Sequence, residues 1–412
     1  MRRAIEAVWR IESPRLIAAL TRAVRDVGLA EELAQDALVA ALEQWPATGV
    51  PDKPGAWLMT TARNRGVDRL RRDRMRARKH DALAHDPDLS PDTVDLDAAL
   101  DDPVGDDVLR LMFIACHPAL GVEARVALTL RLVGGLTTPE IARAFLVPEA
   151  TVAQRIVRAK RTLSEARVPF EVPRGDALAE RLASVMGVIY LVFNEGYAAT
   201  AGDDWVRPEL CEDAMRLGRV LAGLAPDVSE AHALVALMEL QASRLRARVA
   251  ADGAPILLAA QNRARWDRLL IAHGLAALAR AESLGGARGF YALQAAIAAC
   301  HARAPSAEAT DWPRIASLYG ALAEVAPSPV VALNRAVAVS MADGPAAGLA
   351  AVDALAATGA LDGYHLLPSV RGDLLEKLGR SEEARAEFAR AASLTQNARE
   401  RALLLARARG LG

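Results

Sequence analysis

The chain has 412 residues, 52% hydrophobic and 4% aromatic, with a formal net charge of −1. That length suffices for two or three domains with large cores, and the near-neutral total excludes any argument for nucleic-acid binding from overall charge, so such an argument has to be local. Three cysteines, Cys116, Cys211 and Cys300, far apart and odd in number, exclude a disulfide framework and suit a reducing cytoplasm. Richness in Ala, Leu and Arg, without sustained period-2 runs of β-branched residues, predicts an all-α protein. No apolar run approaches the ~20 residues needed to span a bilayer, and the opening MRRAIEAVWRIESPR carries acids where a signal peptide needs an apolar core, so a cytoplasmic chain without membrane contact is expected.

Ile5 to Val27 reads as a helix pair broken near Ser13-Pro14, and Leu29 to Trp45 as an amphipathic helix ending at Trp45-Pro46. Leu33, Ala37, Ala41 and Trp45 form its apolar side. Glu31, Glu32, Gln35 and Asp36 form an exposed acidic face, which in most proteins is merely solvated. After the loop VPDKPG, Trp57, Leu58 and Ala62 should pack inward, with Val67 and Leu70 continuing that side. More than half of Arg63 to Lys79 is basic. Beside Trp57, Asn64 and Asp68 this run offers what single-stranded DNA needs: backbone attraction, amides and flat surfaces near the bases. A solvated helix end with an Asp68–Arg72 pair accounts for the same stretch equally well. His80 to Leu109 then carries ten Asp and no Lys or Arg, with prolines interspersed, and reads as a flexible linker.

Helical patterning resumes at Asp106 and leads into a helix-turn-helix over Leu136 to Leu163. Thr137 and Glu140 have capping-box spacing, with Pro139 in the first turn. Val147-Pro148 interrupts the helix, and a second one restarts at Pro148. Val152, Ile156, Ala159 and Leu163 make its buried stripe; Ala150, Ala153, Gln154, Val157, Arg158 and Arg161 stand opposite. Gln suits adenine, Arg suits guanine, an alanine lets the helix approach a thymine methyl, and trailing cations neutralise phosphates. An ordinary surface hairpin with a basic face is the lesser alternative for this stretch taken alone.

Together these stretches resemble the sigma-70 family of bacterial transcription initiation factors, in its small extracytoplasmic-function (ECF) group, over roughly residues 10 to 165. AEELAQDAL (30–38) is similar to the region 2 helix that docks on the clamp helices of the polymerase β′ subunit. GAWLMTTARNRGVDRLRR (55–72) is similar to the segment that opens and holds the minus-10 element. LTTPEIARAFLVPEATVAQRIVRAKRTL (136–163) is similar to region 4, which reads the minus-35 element. The resemblance implies core RNA polymerase (β′ clamp helices and β) and promoter DNA as partners. It implies polymerase contacts at Glu32, Gln35 and Asp36, with Asp36 standing where the family has a glutamate. It further implies minus-10 contacts at Trp57, Arg63, Asn64, Arg69 and Arg72, and minus-35 contacts at Ala153, Gln154, Arg155, Val157, Arg158 and Arg161. Arg155 and Arg161 are the phosphate candidates among these. The domains expected are region 2 (1–80), the acidic linker (81–105) and region 4 (106–168).

Beyond Pro169 and Pro173 nearly continuous helices are expected over 176–200, 207–222, 227–249, 254–280, 289–302, 311–325, 329–341, 344–357, 363–378 and 381–395. They divide into a helical extension (174–310) and a part resembling tetratricopeptide (TPR) repeats (311–412). In the last repeat Gly379, Ala384, Phe388, Ala391 and Ala392 carry the small-and-aromatic pattern. Asn194, Glu195 and Tyr197 in one stretch, and Arg265, Trp266 and Asp267 with Gln261, Asn262 and Arg263 in another, are candidate regulatory contacts for a protein or small ligand; capped helix ends are the plainer reading. The full chain resembles the ECF subgroup that carries a helical-repeat extension, which implies that the extension modulates activity.

Cys116-His117 and Cys300-His301 are adjacent pairs without zinc-ligand spacing, so buried cysteines are expected, with no metal and no cofactor. No Gly-rich phosphate loop or G-x-S-x-G is present, and no enzyme is expected. An alternative sigma factor is the leading reading. The alternatives are a polymerase-independent helix-turn-helix regulator whose repeats bind a protein or ligand, and an enzyme or carrier with a pocket around Asn194 and Trp266.

Overall fold

The computed structural model describes residues 2–65, 105–145, 147–173, 175–199 and 201–410. Most of the basic run beyond Arg65, including Arg69 and Arg72, and nearly all of the acidic linker lie outside the described residues. The regular structure of the described residues is helical apart from a two-residue strand pair and an isolated bridge, and the contacts divide the chain into Met1–Val188 and Ile189–Gly412.

In the first unit, α1 (Arg2–Val24) runs unbroken through Pro14, where the sequence predicts a break. An internal proline costs roughly 3 kcal/mol through the lost hydrogen bond and the ring clash. Against this stands burial of Ile5, Trp9, Leu16, Ile17 and Leu20 on one side, each contributing about 1.5–3 kcal/mol. Likewise α2 (Val27–Thr48) continues past Trp45 and includes Pro46. Trp45 is 1% exposed and meets Trp57 edge-on at 5.3 Å, so core packing holds the last turn helical against the proline preference. The Asp26 carboxylate caps α2 by accepting from the Leu29 N–H at 2.8 Å. A helix over 54–65, α3, buries Leu58 and Ala62 as its sequence predicts. Then follow α4 (Gly105–Ala115), α5 (Val122–Leu132), α6 (Thr138–Phe145) and α7 (Glu149–Glu165). α4 packs on α1, and α7 lies on α5, α6 and α2.

The next helix, α8 (Asp176–Tyr197), contains the division between the two units. Its N-terminal part belongs to the first: the Ser184 hydroxyl donates to the Cys116 carbonyl at 3.0 Å and accepts from Arg125 at 3.0 Å. From Ala177 to Tyr197 this helix is long and apolar enough, by length and composition, to cross a membrane, which corrects the expectation that no such run exists. Here it is protein that covers Leu182, Val185, Val188, Ile189, Val192 and Phe193.

The second unit continues through α9 (Pro208–Leu224), α10 (Ser229–Ala242), α11 (Arg268–Ser283), α12 (Phe290–Arg303), α13 (Trp312–Val325), α14 (Pro329–Asp343), α15 (Pro345–Ala356), α16 (Leu366–Lys377), α17 (Ser381–Leu394) and α18 (Ala398–Gly410). From α9 to α18 each helix packs on the next in sequence. The helices expected over 227–249 and 254–280 are interrupted: residues 243–267 fold into turns and short 3-10 segments before α11 starts. Polar caps set those boundaries, since Asn262 accepts from the Ala264 N–H and Asp267 from Leu269 and Leu270. Ala384, Phe388, Ala391 and Ala392 are buried in the core of the last helices, where the ring of Phe388 packs where a side chain on Gly372 would stand. α18 is an element the sequence reading lacks. It follows strand β2 (Gln396–Asn397), which pairs in parallel with β1 (Ala201–Gly202). Asn397 is buried and donates to the carbonyls of Ala199 at 3.1 Å and Asp204 at 2.8 Å, joining the start of this unit to its end.

Candidate nucleic-acid interface

The helix-turn-helix closes as its spacing predicts. The Thr137 N–H donates to Glu140 Oε2 at 2.7 Å and the Glu140 N–H to Thr137 Oγ1 at 3.3 Å, a reciprocal capping box that satisfies two otherwise orphaned donors. Just before it, Gly135 adopts φ +69°, and a side chain there would stand 3.0 Å from Ser13 Oγ and 3.2 Å from the Arg10 Cα. Glycine is required twice over, by backbone conformation and by the close approach of α1. Arg10 adds a 2.9 Å ion pair to Glu140.

On α7, Val152, Ile156, Ala159 and Leu163 are buried, and Ala150, Ala153, Gln154, Val157, Arg158 and Arg161 are exposed. Val157 is 65% exposed although nothing polar recommends it to solvent. With Ala153 it gives this face the small apolar contacts that suit thymine methyls, beside an amide and guanidiniums that suit base edges and phosphates. Arg155 is half-buried and paired with Glu123 at 2.6 Å; Arg161 pairs with Glu165 at 2.6 Å.

The acidic side of α2 departs from expectation at one position. Glu32 is exposed, Gln35 and Asp36 are half-buried, and Arg65 stands 3.8 Å from Asp36. Glu31, read as exposed, is buried instead, its side chain only 3% accessible. It accepts from Arg131 Nε at 2.6 Å, pairs with Lys160 of α7 and accepts from the Gln35 amide. Burial by itself would raise its carboxyl, but Lys160 and Arg131 outweigh that and hold it below the ordinary value. The sequence gives no pairing of Glu31 with Arg131 or Lys160. The available signal was the small residues Ala30, Ala34 and Ala37, all buried, which widen the apolar side of α2 until it reaches Glu31. A second buried acid, Asp107, takes Arg110 at 2.6 Å and Arg22 at 3.3 Å and joins α4 to α1.

Of the minus-10 candidates, Trp57 is half-buried against Trp45, Arg63 is half-buried and Asn64 is exposed. Arg69 and Arg72 are outside the described residues. In the second unit the six regulatory candidates divide by role. Glu195 pairs with Arg207, Tyr197 lies under the Arg248 guanidinium at 3.8 Å, and Asp267 caps α11. Trp266 is 3% exposed beneath Arg263 at 4.6 Å, Arg265 is exposed and Asn194 is half-buried. For Glu195 and Asp267 a structural partner is thus in place.

Three families match the chain: Sigma-70 region 2 over residues 9–76, Sigma-70, region 4 over 110–163, and a family of unknown function, DUF6596, over 181–282. The chain is 46% identical to an uncharacterized protein of Rhizobium meliloti over 396 residues, 95% of this chain and 92% of that one. It is 30% identical to the ECF RNA polymerase sigma factor SigK of Mycobacterium ulcerans over 154 residues, 36% of this chain and 78% of that one. It is 29% identical to the probable ECF RNA polymerase sigma factor SigI of Mycobacterium tuberculosis over 170 residues, 41% of this chain and 57% of that one. No solved structure matches. The residues matched by Sigma-70 regions 2 and 4 carry the acidic helix and the helix-turn-helix, and the chain belongs to the extracytoplasmic-function group of the sigma-70 family, in a form that continues into a helical extension.

Proposed function

We propose that this protein is an alternative sigma factor that binds core RNA polymerase through α2, opens the minus-10 element with the segment beginning at Trp57, and reads minus-35 with α7. The observation that carries this reading is the outer face of α7. Gln154, Val157 and Arg158 project from a helix whose opposite stripe is buried, so the base-reading groups stand on a rigid support. Polymerase docking falls to Glu32 and Asp36, whose carboxylates suit a basic partner surface, together with the amide of Gln35. The TPR-like extension modulates this activity in the same chain. The protein works in the cytoplasm of a bacterium as a binding protein and not as an enzyme.

Run-off transcription tests the reading, with purified bacterial core polymerase, the full chain and the DNA upstream of its own coding sequence. A discrete transcript that requires the protein is expected. No transcript, together with tight binding of duplex DNA by the protein alone, would favour a polymerase-independent regulator. Repeating the assay with residues 1–188 reads the contribution of the extension, and equal transcript from both would remove its modulating role.

A further inference from the structure

The second unit holds a cavity of about 630 Å³ whose polar lining includes Tyr190, Arg244, Gln294, His301 and Tyr319, with Phe290 among its apolar walls. Its lining residues include one guanidinium and no carboxylate. Among the described residues no acid stands within ion-pair distance of Arg244, whose near neighbours are the ring faces of Tyr197 and Trp266, each at 5.8 Å. The arginines around it are engaged otherwise. Arg248 donates to the Tyr197 carbonyl at 3.1 Å, and Arg263 donates to the Ala304 carbonyl at 2.9 Å and to Thr310 at 3.2 Å. Arg244 is therefore a half-buried cation without a counter-ion among the described residues, in a cavity whose lining holds no acid.

His301 points to the same place. It is 8% exposed, and its Nδ1 is buried without a hydrogen-bond partner. Burial, then the nearby Arg244 and Arg263, push its pKa down to about 4, so at neutral pH the ring is uncharged. A buried polar atom left unpaired costs about 1–3 kcal/mol, which a bound group with a matching donor or acceptor would recover. Tyr190 donates to the Gln294 carbonyl oxygen at 3.0 Å, leaving the Gln294 amide, which donates to Phe290 O at 3.2 Å, fixed in orientation.

We propose that this cavity binds a small organic anion, a carboxylate carried on a flat apolar body. A carboxylate fits the planar fork of Arg244 with two parallel hydrogen bonds, which a neutral ligand cannot match. Phe290, Tyr190 and Tyr319 supply ring faces for the body, and the volume is that of a small-molecule site. An inorganic anion would leave those apolar walls unfilled.

The test is calorimetric titration of the full-length protein at neutral pH with naphthoate and with its uncharged amide. Naphthoate should bind one per chain, and the amide at least ~10-fold more weakly, the worth of one charge-assisted contact. Arg244→Gln should raise the naphthoate Kd by about 10–100-fold and abolish the preference for the acid over the amide. Equal binding of acid and amide by the unaltered protein overturns the proposal without reliance on any variant. So does the absence of binding at millimolar naphthoate. The experiment reads binding alone, so its failure leaves the transcription reading untouched, and failure of the run-off assay leaves this site untouched.

Discussion

Arg131 Nε donates to Glu31 Oε1 at 2.6 Å, across a separation of 100 residues. Lys160 reaches the other oxygen of the same carboxylate. One acid on α2 thereby holds both α5, the helix before the helix-turn-helix, and α7, its second helix. The contact fastens α2 to α5 and α7.

Glu31→Gln leaves Arg131 and Lys160, with side chains 18% and 21% exposed, facing one another without an anion. Removing one partner of a buried pair costs about 3–5 kcal/mol, and the partial exposure here places the expected loss at about 2–3 kcal/mol. Urea unfolding of the full chain measures it; a change below about 0.5 kcal/mol would mean that the contact contributes nothing. The pH dependence follows from the lowered carboxyl. Its stabilisation is fully present above the ordinary carboxylate value of 4.5 and is lost as pH falls through the depressed one, so the gap between the two proteins should close in acid.

Gly135→Ala places a methyl group against Ser13 and Arg10 at a backbone conformation that L side chains rarely adopt. A destabilisation of about 1–3 kcal/mol is expected, visible as a lowered melting temperature. Gly121→Ala is the control: that residue has no positive φ and no atom near where the side chain would stand. Equal melting of the two variants would show that α1 does not constrain the turn.

In promoter-binding assays, Gln154→Ala should relax discrimination at one base position by about 1–3 kcal/mol. Arg161→Ala should instead weaken binding to all sequences alike and lower the salt slope by about one ion. The same effect of both changes on every promoter would mean that Gln154 is not a base reader.

His301 binds its proton far less readily in the fold than when unfolded, about 4 against 6.5, because it is buried and faces Arg244 and Arg263. The unfolded chain therefore takes up the extra proton as pH falls through 6.5, and stability declines from there down to about 4. Over that window His301→Gln should remove a slope of up to about 1.4 kcal/mol per pH unit from the denaturation free energy. Identical slopes for the variant and the parent would refute the burial of this ring as a neutral group.

Most of what was legible in the sequence lies within a single helix or turn. The capping box of Thr137 and Glu140, the buried stripe and outer face of α7, and the inward side of α2 through Trp45 follow from spacing, because residues three or four apart share a face wherever the helix ends up. What lies opposite a face is not encoded in its period. Pro14 and Pro46 sit inside helices because core contacts outweigh a local preference. Glu31 is buried because its cations come from residues 131 and 160, Asn397 clamps a loop 193 residues away, and Arg244, His301 and Tyr319 meet around one cavity only when separate helices stack. Periodicity and capping determined the helix-turn-helix and the outer face of α7; helix ends at the prolines, partner identity, ionisation and the cavity were decided by the tertiary packing, which brings distant charges together and takes them out of water.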